Sequence, residues 1–466
     1  MSRLFARLIF AGTLTLTLMS GCNMLPHQDY KRPAASFPEK WQEQTVTGTS
    51  VAAGEQWWKK FNDPMLEELI ERALRSNNNL AAAALRVQRA RLQSELTDTN
   101  RTPSVSVSAN NSLNYDINNK KSTRSYGVSG AVSYEVDLWG KLARSRDAGQ
   151  WEAEATEADR QSAALSLIGT LADNYWQIAY LNQSIAASRA NLDNSERTLQ
   201  LVRTKYDAGA VSGIDLIQAQ QTISSQKAGL TQLQQQLVEA RNSMAILFDQ
   251  PPASRLPERS QLPDGPLPAI TPGIPAHLLG RRPDLRAAEL RLRESLASVD
   301  ATRAGFYPAI SLTGSVGTNS ITLENILKNP AATLGLGLTL PFLQWNTTRL
   351  TIKVSETQYE EAVVNFRQAL YKAFNDVENS LSAARLFDAE QIHLEEARLL
   401  SEKAEQLAEI RYRAGAAGVQ SWLDQQDRSR SAELEVAGNR LNRLKNLMRL
   451  YQALGGDMEM PVNGVR

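Results

Sequence analysis

The sequence predicts a mixed α and β membrane protein built from one unit written twice: helix, β-hairpin, long helix, returning helix. Three observations predict it. Two distant segments recur later in the chain at nearly the same offset. Four stretches alternate apolar with small or polar residues. Two very long stretches contain no proline.

The bulk numbers exclude several classes. The chain has 466 residues, 42% hydrophobic and 22% charged, a globular composition. A net charge of +1 gives no argument for nucleic acid as a partner. His27, His277 and His393 lie far apart, which argues against a histidine-based metal or triad site. The single cysteine, Cys22, excludes an intrachain disulfide and a cysteine-rich cluster. Beyond the N-terminus no apolar run reaches the roughly 20 residues of a membrane-spanning helix. No residue set reads as catalytic, and none calls for a metal or cofactor.

Residues 1–21 read as a bacterial signal peptide. Arg3 and Arg7 form its positive start, Leu8 to Met19 is a short, mostly apolar stretch, and Ser20 and Gly21 precede Cys22. Leu18-Met19-Ser20-Gly21-Cys22 resembles a lipobox, with Met19 where Leu is usual. That makes Cys22 the expected lipid anchor, carrying diacylglycerol and acyl groups; several chains anchor firmly where one binds marginally. Asn23 follows where an Asp commonly retains lipoproteins at the inner membrane, so export to the outer membrane is expected.

The duplication comes next. Leu80 to Ser108 aligns without gaps on Leu285 to Thr313 at an offset of 205, matching Leu80 with Leu285, Arg86 with Arg291 and Pro103 with Pro308. Tyr206-Asp207-Ala208-Gly209-Ala210 aligns on Tyr412-Arg413-Ala414-Gly415-Ala416 at an offset of 206. The expected division is a lipid-anchored segment and collar over 22–65, repeat one over 66–250, a linker and collar over 251–275, repeat two over 276–456 and a tail over 457–466.

Within repeat one, Leu66, Leu69, Ile70, Ala73 and Leu74 predict a helix over 66–100 that Pro103 ends. In repeat two, Pro283 starts the matching helix, at a position that tolerates proline. Strands follow, in hairpins at about 103–137 and 308–343. Val105, Val107 and Ala109 alternate with serines, and Leu334, Leu336, Leu338, Leu340 and Phe342 alternate mainly with Gly335, Gly337 and Thr339. The pattern fits a barrel with one face towards lipid, and it also fits a soluble sandwich edge. The polar stretch Asn118 to Ser125 reads as an exposed loop. Four strands cannot close a barrel, and an open sheet cannot sit in a bilayer, so a membrane role requires several chains. After the first hairpin, residues 142–206 can run as one helix of roughly 100 Å, with a shorter return over about 214–248. Ile185, Leu192, Leu199 and Tyr206 fall seven apart, a coiled-coil-like seam.

Three groups of residues resemble the outer membrane factor family, the TolC-like exit ducts of tripartite efflux systems, and its NodT-type lipoprotein branch. They are Trp57-Trp58 with Phe61 and Asp63-Pro64; Tyr134-Glu135-Val136-Asp137-Leu138-Trp139-Gly140-Lys141; and Leu278-Leu279-Gly280-Arg281-Arg282-Pro283-Asp284-Leu285 with Ala288 and Glu289. The resemblance implies a homotrimer with a twelve-stranded β-barrel, a long periplasmic α-helical barrel and an equatorial collar. It implies a periplasmic adaptor and an inner-membrane pump, usually of the resistance-nodulation-division type, as partners. It implies an outer-membrane channel for small molecules. A type I protein-secretion duct, a periplasm-spanning structural lipoprotein and a lipoprotein enzyme are the competing classes.

The working site is then the periplasmic tip. Gly209 and Gly213, and in repeat two Gly415 and Gly418, are expected at the hairpin turns, where glycine allows positive φ. Ser212 and Asp215 resemble a capping box. The resemblance carries Leu423 over as the apolar gate, Asp427 as a ring acid and Arg430 as its basic partner. It makes Tyr412 and Arg413 candidate links between helices. Asp424 adds a second acid, and Gln426 and Arg428 depart from the family's usual Leu and Ala. The spacing places Leu423, Asp427 and Arg430 on one helix face.

Overall fold

The computed structural model describes residues 29–34, 36, 38–42, 49–50, 56–268, 270–271, 275 and 278–456. The signal segment, Cys22 and the tail 457–466 lie outside the described residues. The chain divides into two compact units. One takes the N-terminal stretch to Ala35 with Arg86–Glu157 and Ala287–Gln368; the other takes Ser36–Leu85, Ala158–Arg286 and the chain from Ala369.

The element order repeats. Repeat one has α1 (Pro64–Ser76), α2 (Asn78–Asp98), β1 (Ser104–Asp116), β2 (Lys121–Val136), α3 (Lys141–Asp207) and α4 (Gly213–Ile246). Repeat two has α5 (Pro283–Ala304), β3 (Ala309–Ser320), β4 (Pro330–Thr339), α6 (Trp345–Arg413) and α7 (Val419–Ala453). Helices α3 and α6 have 67 and 69 residues. Each is about 100 Å long at 1.5 Å per residue. No described helix is long and apolar enough to cross a membrane.

The first unit carries one antiparallel sheet in the order β1-β2-β3-β4. Its register keeps the two faces chemically distinct. Val105, Val132, Gly314 and Leu334 form one row, and Tyr134, Leu312 and Leu336 another on the same face. Ser104, Ser133, Thr313 and Gly335 form a row on the opposite face. The apolar face is open: Leu334 is 92% exposed and Val107 78%. Ser108 and Ser129 hydrogen-bond across the other face at 2.9 Å. The strands have 13, 16, 12 and 10 residues. That meets or exceeds the roughly 9–11 a tilted strand needs to span a bilayer.

The Asp-Leu-Trp-Gly-Lys string builds the strand-to-helix junction. Asp137 accepts from the Leu142 and Ala143 amides at 3.1 and 2.8 Å, satisfying donors that the start of α3 leaves free. Gly140 sits at φ +74°. Trp139 donates from Nε1 to the Pro308 carbonyl at 2.7 Å and packs on Tyr307 at 5.1 Å.

In the second unit, Trp57 and Trp58 are buried, and Trp57 stacks on Tyr451 at 4.8 Å. Asp63 caps α1 through the Leu66 amide, accepts from the Tyr175 hydroxyl at 3.0 Å and pairs with Arg259 at 2.8 Å. Burial, then the Asp63 charge, pushes the Tyr175 phenol well above its usual range. Arg282 pairs with Asp284 at 2.7 Å and Asp376 at 3.2 Å. The two remaining motifs therefore hold this unit together.

Three expectations differ from the structure. The helix foreseen over 66–100 is two helices broken at Asn77, whose side chain accepts from the Leu80 amide at 3.0 Å and donates to the Leu247 carbonyl at 2.9 Å. A side chain that offers the backbone a local alternative ends one helix and caps the next. The polar stretch Asn118 to Ser125 is mostly strand: β2 begins at Lys121, so only a tight turn joins it to β1. Polar residues there extend the ladder past the apolar band. The last strand stops at Thr339, because Pro341 has no amide to donate and starts a 3-10 turn through Leu343.

Candidate functional site: the paired hairpin tips

Both long hairpins turn by the same hydrogen bonds. In repeat one the Gly209 amide donates to the Tyr206 carbonyl at 2.9 Å and the Ala210 amide to the Lys205 carbonyl at 2.8 Å. In repeat two Gly415 donates to Tyr412 at 3.1 Å and Ala416 to Arg411 at 2.9 Å. This is the Schellman ending, which requires a left-handed residue. Gly209 and Gly415 supply it, each at φ +72°. The other two glycines do not: Gly213 opens α4 as its first residue, and Gly418 is the extended N-cap of α7 at φ −70°.

The restart differs between copies. Ser212 and Asp215 form a complete capping box, with Asp215 accepting from the Ser212 amide at 2.8 Å. The Ser212 hydroxyl bond above all, with the Val419 amide adding to it, holds the Asp215 carboxyl below the usual range. At the start of α7, by contrast, Gly418 offers no side-chain cap.

A small core joins the tips. Val202, Ala219, Ala408, Tyr412, Val419, Trp422 and Leu423 are buried together. Tyr412 and Trp422 pack at 5.4 Å. The Lys205 ammonium lies 4.3 Å from the Tyr412 ring centroid and donates to the Tyr412 carbonyl at 3.1 Å. A cation over an aromatic face, at the negative end of α6, is doubly favoured. Burial, then the Asp215 charge, pushes the Tyr412 phenol up.

The predicted residues separate into two groups. Tyr412 and Leu423 belong to this core; Leu423 is 3% exposed. Asp427 is exposed and ion-pairs with Arg430 three residues on. Along that one face burial changes: Leu423 packs into the core, Arg430 is half-buried and Asp427, about 40° round the helix from Leu423, lies in solvent. Arg413 is exposed and pairs with Glu409 of its own helix at 2.8 Å. Asp424 accepts from Gln420 at 2.6 Å, and Gln426 donates to the Thr198 hydroxyl at 3.4 Å. Sequence reasoning missed Lys205 and gave Asp215 only a cap. Their signal was present, since both flank the recurring turn, but reaching the second hairpin is a tertiary fact.

The sequence profile of the outer membrane efflux protein family matches residues 69–247 and 274–456. The pyoverdine export outer membrane protein OpmQ of Pseudomonas putida is 32% identical over 431 residues, covering 90% of this chain and 92% of that one. The probable outer membrane lipoprotein SilC of Salmonella typhimurium is 26% identical, covering 95% and 97%. The crystal structure of the open state of the Neisseria gonorrhoeae MtrE outer membrane channel superposes with a TM-score of 0.80 at 31% identity, covering 92% and 98%. Two duplicated halves, a sheet greasy on one face and helices far longer than a globular domain needs are the build of a channel. This chain belongs to the outer membrane efflux protein family. It is an outer-membrane efflux channel component, of the class the sequence motifs resemble.

Proposed function

We propose that three copies of this chain close one twelve-stranded barrel, continue as a periplasmic α-helical barrel with an equatorial collar, and form the exit duct of a tripartite pump. The observation that carries this reading is the sheet. It is four strands wide with β1 and β4 unpaired at its edges among the described residues, and its apolar rows are open. Edges cannot remain unpaired in hydrocarbon, so neighbouring copies must pair them. Cys22 carries the lipid; the lipoprotein named among the relatives supports this reading. A periplasmic adaptor engages the tips, and an inner-membrane pump of the resistance-nodulation-division type supplies small-molecule cargo. The organisation is a leader over 1–21, an anchored segment and collar over 22–65, two repeats over 66–250 and 276–456 around a linker over 251–275, and a tail over 457–466. At the tip, Asp427 and Arg430 form the charged part of the closure. The core of Tyr412 and Leu423, latched by Lys205, holds the two hairpins of each chain together while it is shut. Arg413 completes the exposed charge near the turn.

The test is covalent. Ser106→Cys on β1 is combined in turn with Ala331→Cys, Thr333→Cys and Gly335→Cys on β4, all on the polar face. One register brings the sulfurs within bonding distance. Oxidation then gives a ladder that ends at covalent trimers. A ladder running beyond three chains, or no cross-link in any register, contradicts the shared barrel.

A further inference from the structure

Glu289 is the motif residue that the channel reading leaves unused. It lies on α5 in the first unit and is only 8% exposed. A buried carboxylate requires partners. It draws them from the far N-terminal segment. The Arg32 guanidinium donates to both of its oxygens, at 3.0 and 2.9 Å from Nη2, with Nε at 3.2 Å. The Tyr30 hydroxyl donates at 3.2 Å and Arg293, one turn along α5, at 3.3 Å. The Arg293 guanidinium lies 4.8 Å over the Tyr30 ring and 5.3 Å from that of Trp151 on α3. Burial, then the Glu289 charge, pushes the Tyr30 phenol up to about 12.

The duplication shows that this arrangement is not generic helix chemistry. In the gap-free alignment of the two repeats, Glu289 falls opposite Ala84 and Arg293 opposite Gln88. Repeat one has the same helix without either charged group. Repeat two alone carries this Glu–Arg pair at the aligned positions.

We propose that Glu289 and Arg293 form a clasp that fastens the N-terminal segment, through Tyr30 and Arg32, to the helix leading into the second β-hairpin. Seven residues, and so eight Cα–Cα steps, separate Cys22 from Tyr30. Fully extended, they reach at most about 28 Å. The clasp therefore ties the anchor end of each chain to α5 of repeat two, about 22 Å along the helix from its end before β3. The fastening itself does not depend on acylation; its role in seating the anchor rests on the reading of Cys22 above.

Chymotrypsin tests the clasp on the intact trimer in detergent. Cleavage after Tyr30 requires that ring to enter the protease, so the bond is cut only from the open clasp. Its rate, normalised to the same bond in a free peptide of residues 24–36, reports the open population. Glu289→Gln is expected to accelerate cleavage at least about tenfold, the loss of a charge-assisted network. Arg32→Gln, a change on the segment itself, should act alike. The double variant should be no faster than the quicker single one, because both remove the same interaction. Cleavage unchanged in both single variants, or accelerations that multiply in the double, would overturn the clasp. Should Glu289→Gln fail to assemble, Arg32→Gln decides alone: protection equal to wild type is then fatal to the proposal. Palmitate labelling is read in parallel, so a failed clasp and a failed anchor are told apart.

Discussion

Asp63, Asp137, Asp215 and Asp284 stand in motifs or turns that the sequence singles out, and each is tied to the start of a helix. Asp63, Asp137 and Asp215 accept backbone amides there, and Asp284 accepts from Leu285 at 2.9 Å. Asp215 was legible as a cap; for the other three the pattern marked the residue, while the work as caps and ion-pair centres needed coordinates. Asp427 and Arg430 were legible as a pair through the family resemblance, and their spacing allows it. The burial of Leu423 was not, because helical periodicity gives a face but not what covers it, and the cover comes from Val202 and Ala219 of the other hairpin. Cys22 is the residue whose chemistry is most specific. Cys22→Ala should abolish incorporation of radioactive palmitate and release the protein from firm membrane attachment; undiminished labelling would refute the anchor.

Elements were legible where one rule dominates. The proline-free stretch after the first hairpin gave α3 nearly to the residue, since nothing in it interrupts the backbone ladder, while the matching stretch in repeat two gave a long helix without its bounds. Alternation gave the four strands, but their length depends on pairing, so the first hairpin runs farther into polar sequence than its apolar residues indicate. The break at Asn77 was hidden because apolar spacing continues on both sides of it. The junction after β2 makes a prediction at this scale. Asp137 caps α3 with two amide bonds, so Asp137→Ala should destabilise the fold by about 1–2 kcal/mol. A lower unfolding temperature of the purified trimer with unchanged conductance would agree; an unchanged unfolding temperature would show that other contacts fix the junction.

For the whole molecule, an unfinished sheet supports the proposed shared barrel, and the paired tips the proposed gate. The number of chains is not written in any local pattern. It follows from how much each contributes to a closed cylinder, which is why the sequence alone pointed to association and the family to three. At the tip the two hairpins of a chain are held by one small core, by Lys205 and by the Gln426–Thr198 hydrogen bond, a modest set of contacts for an adaptor to pull apart if it binds the open form more tightly. The most direct measurement is single-channel conductance of the purified trimer in a planar bilayer, for wild type and Asp427→Ala. The account predicts a small, cation-selective current that rises or loses selectivity in the variant. Well-formed trimers that pass no current in either form would contradict a duct closed by charge at its periplasmic tip.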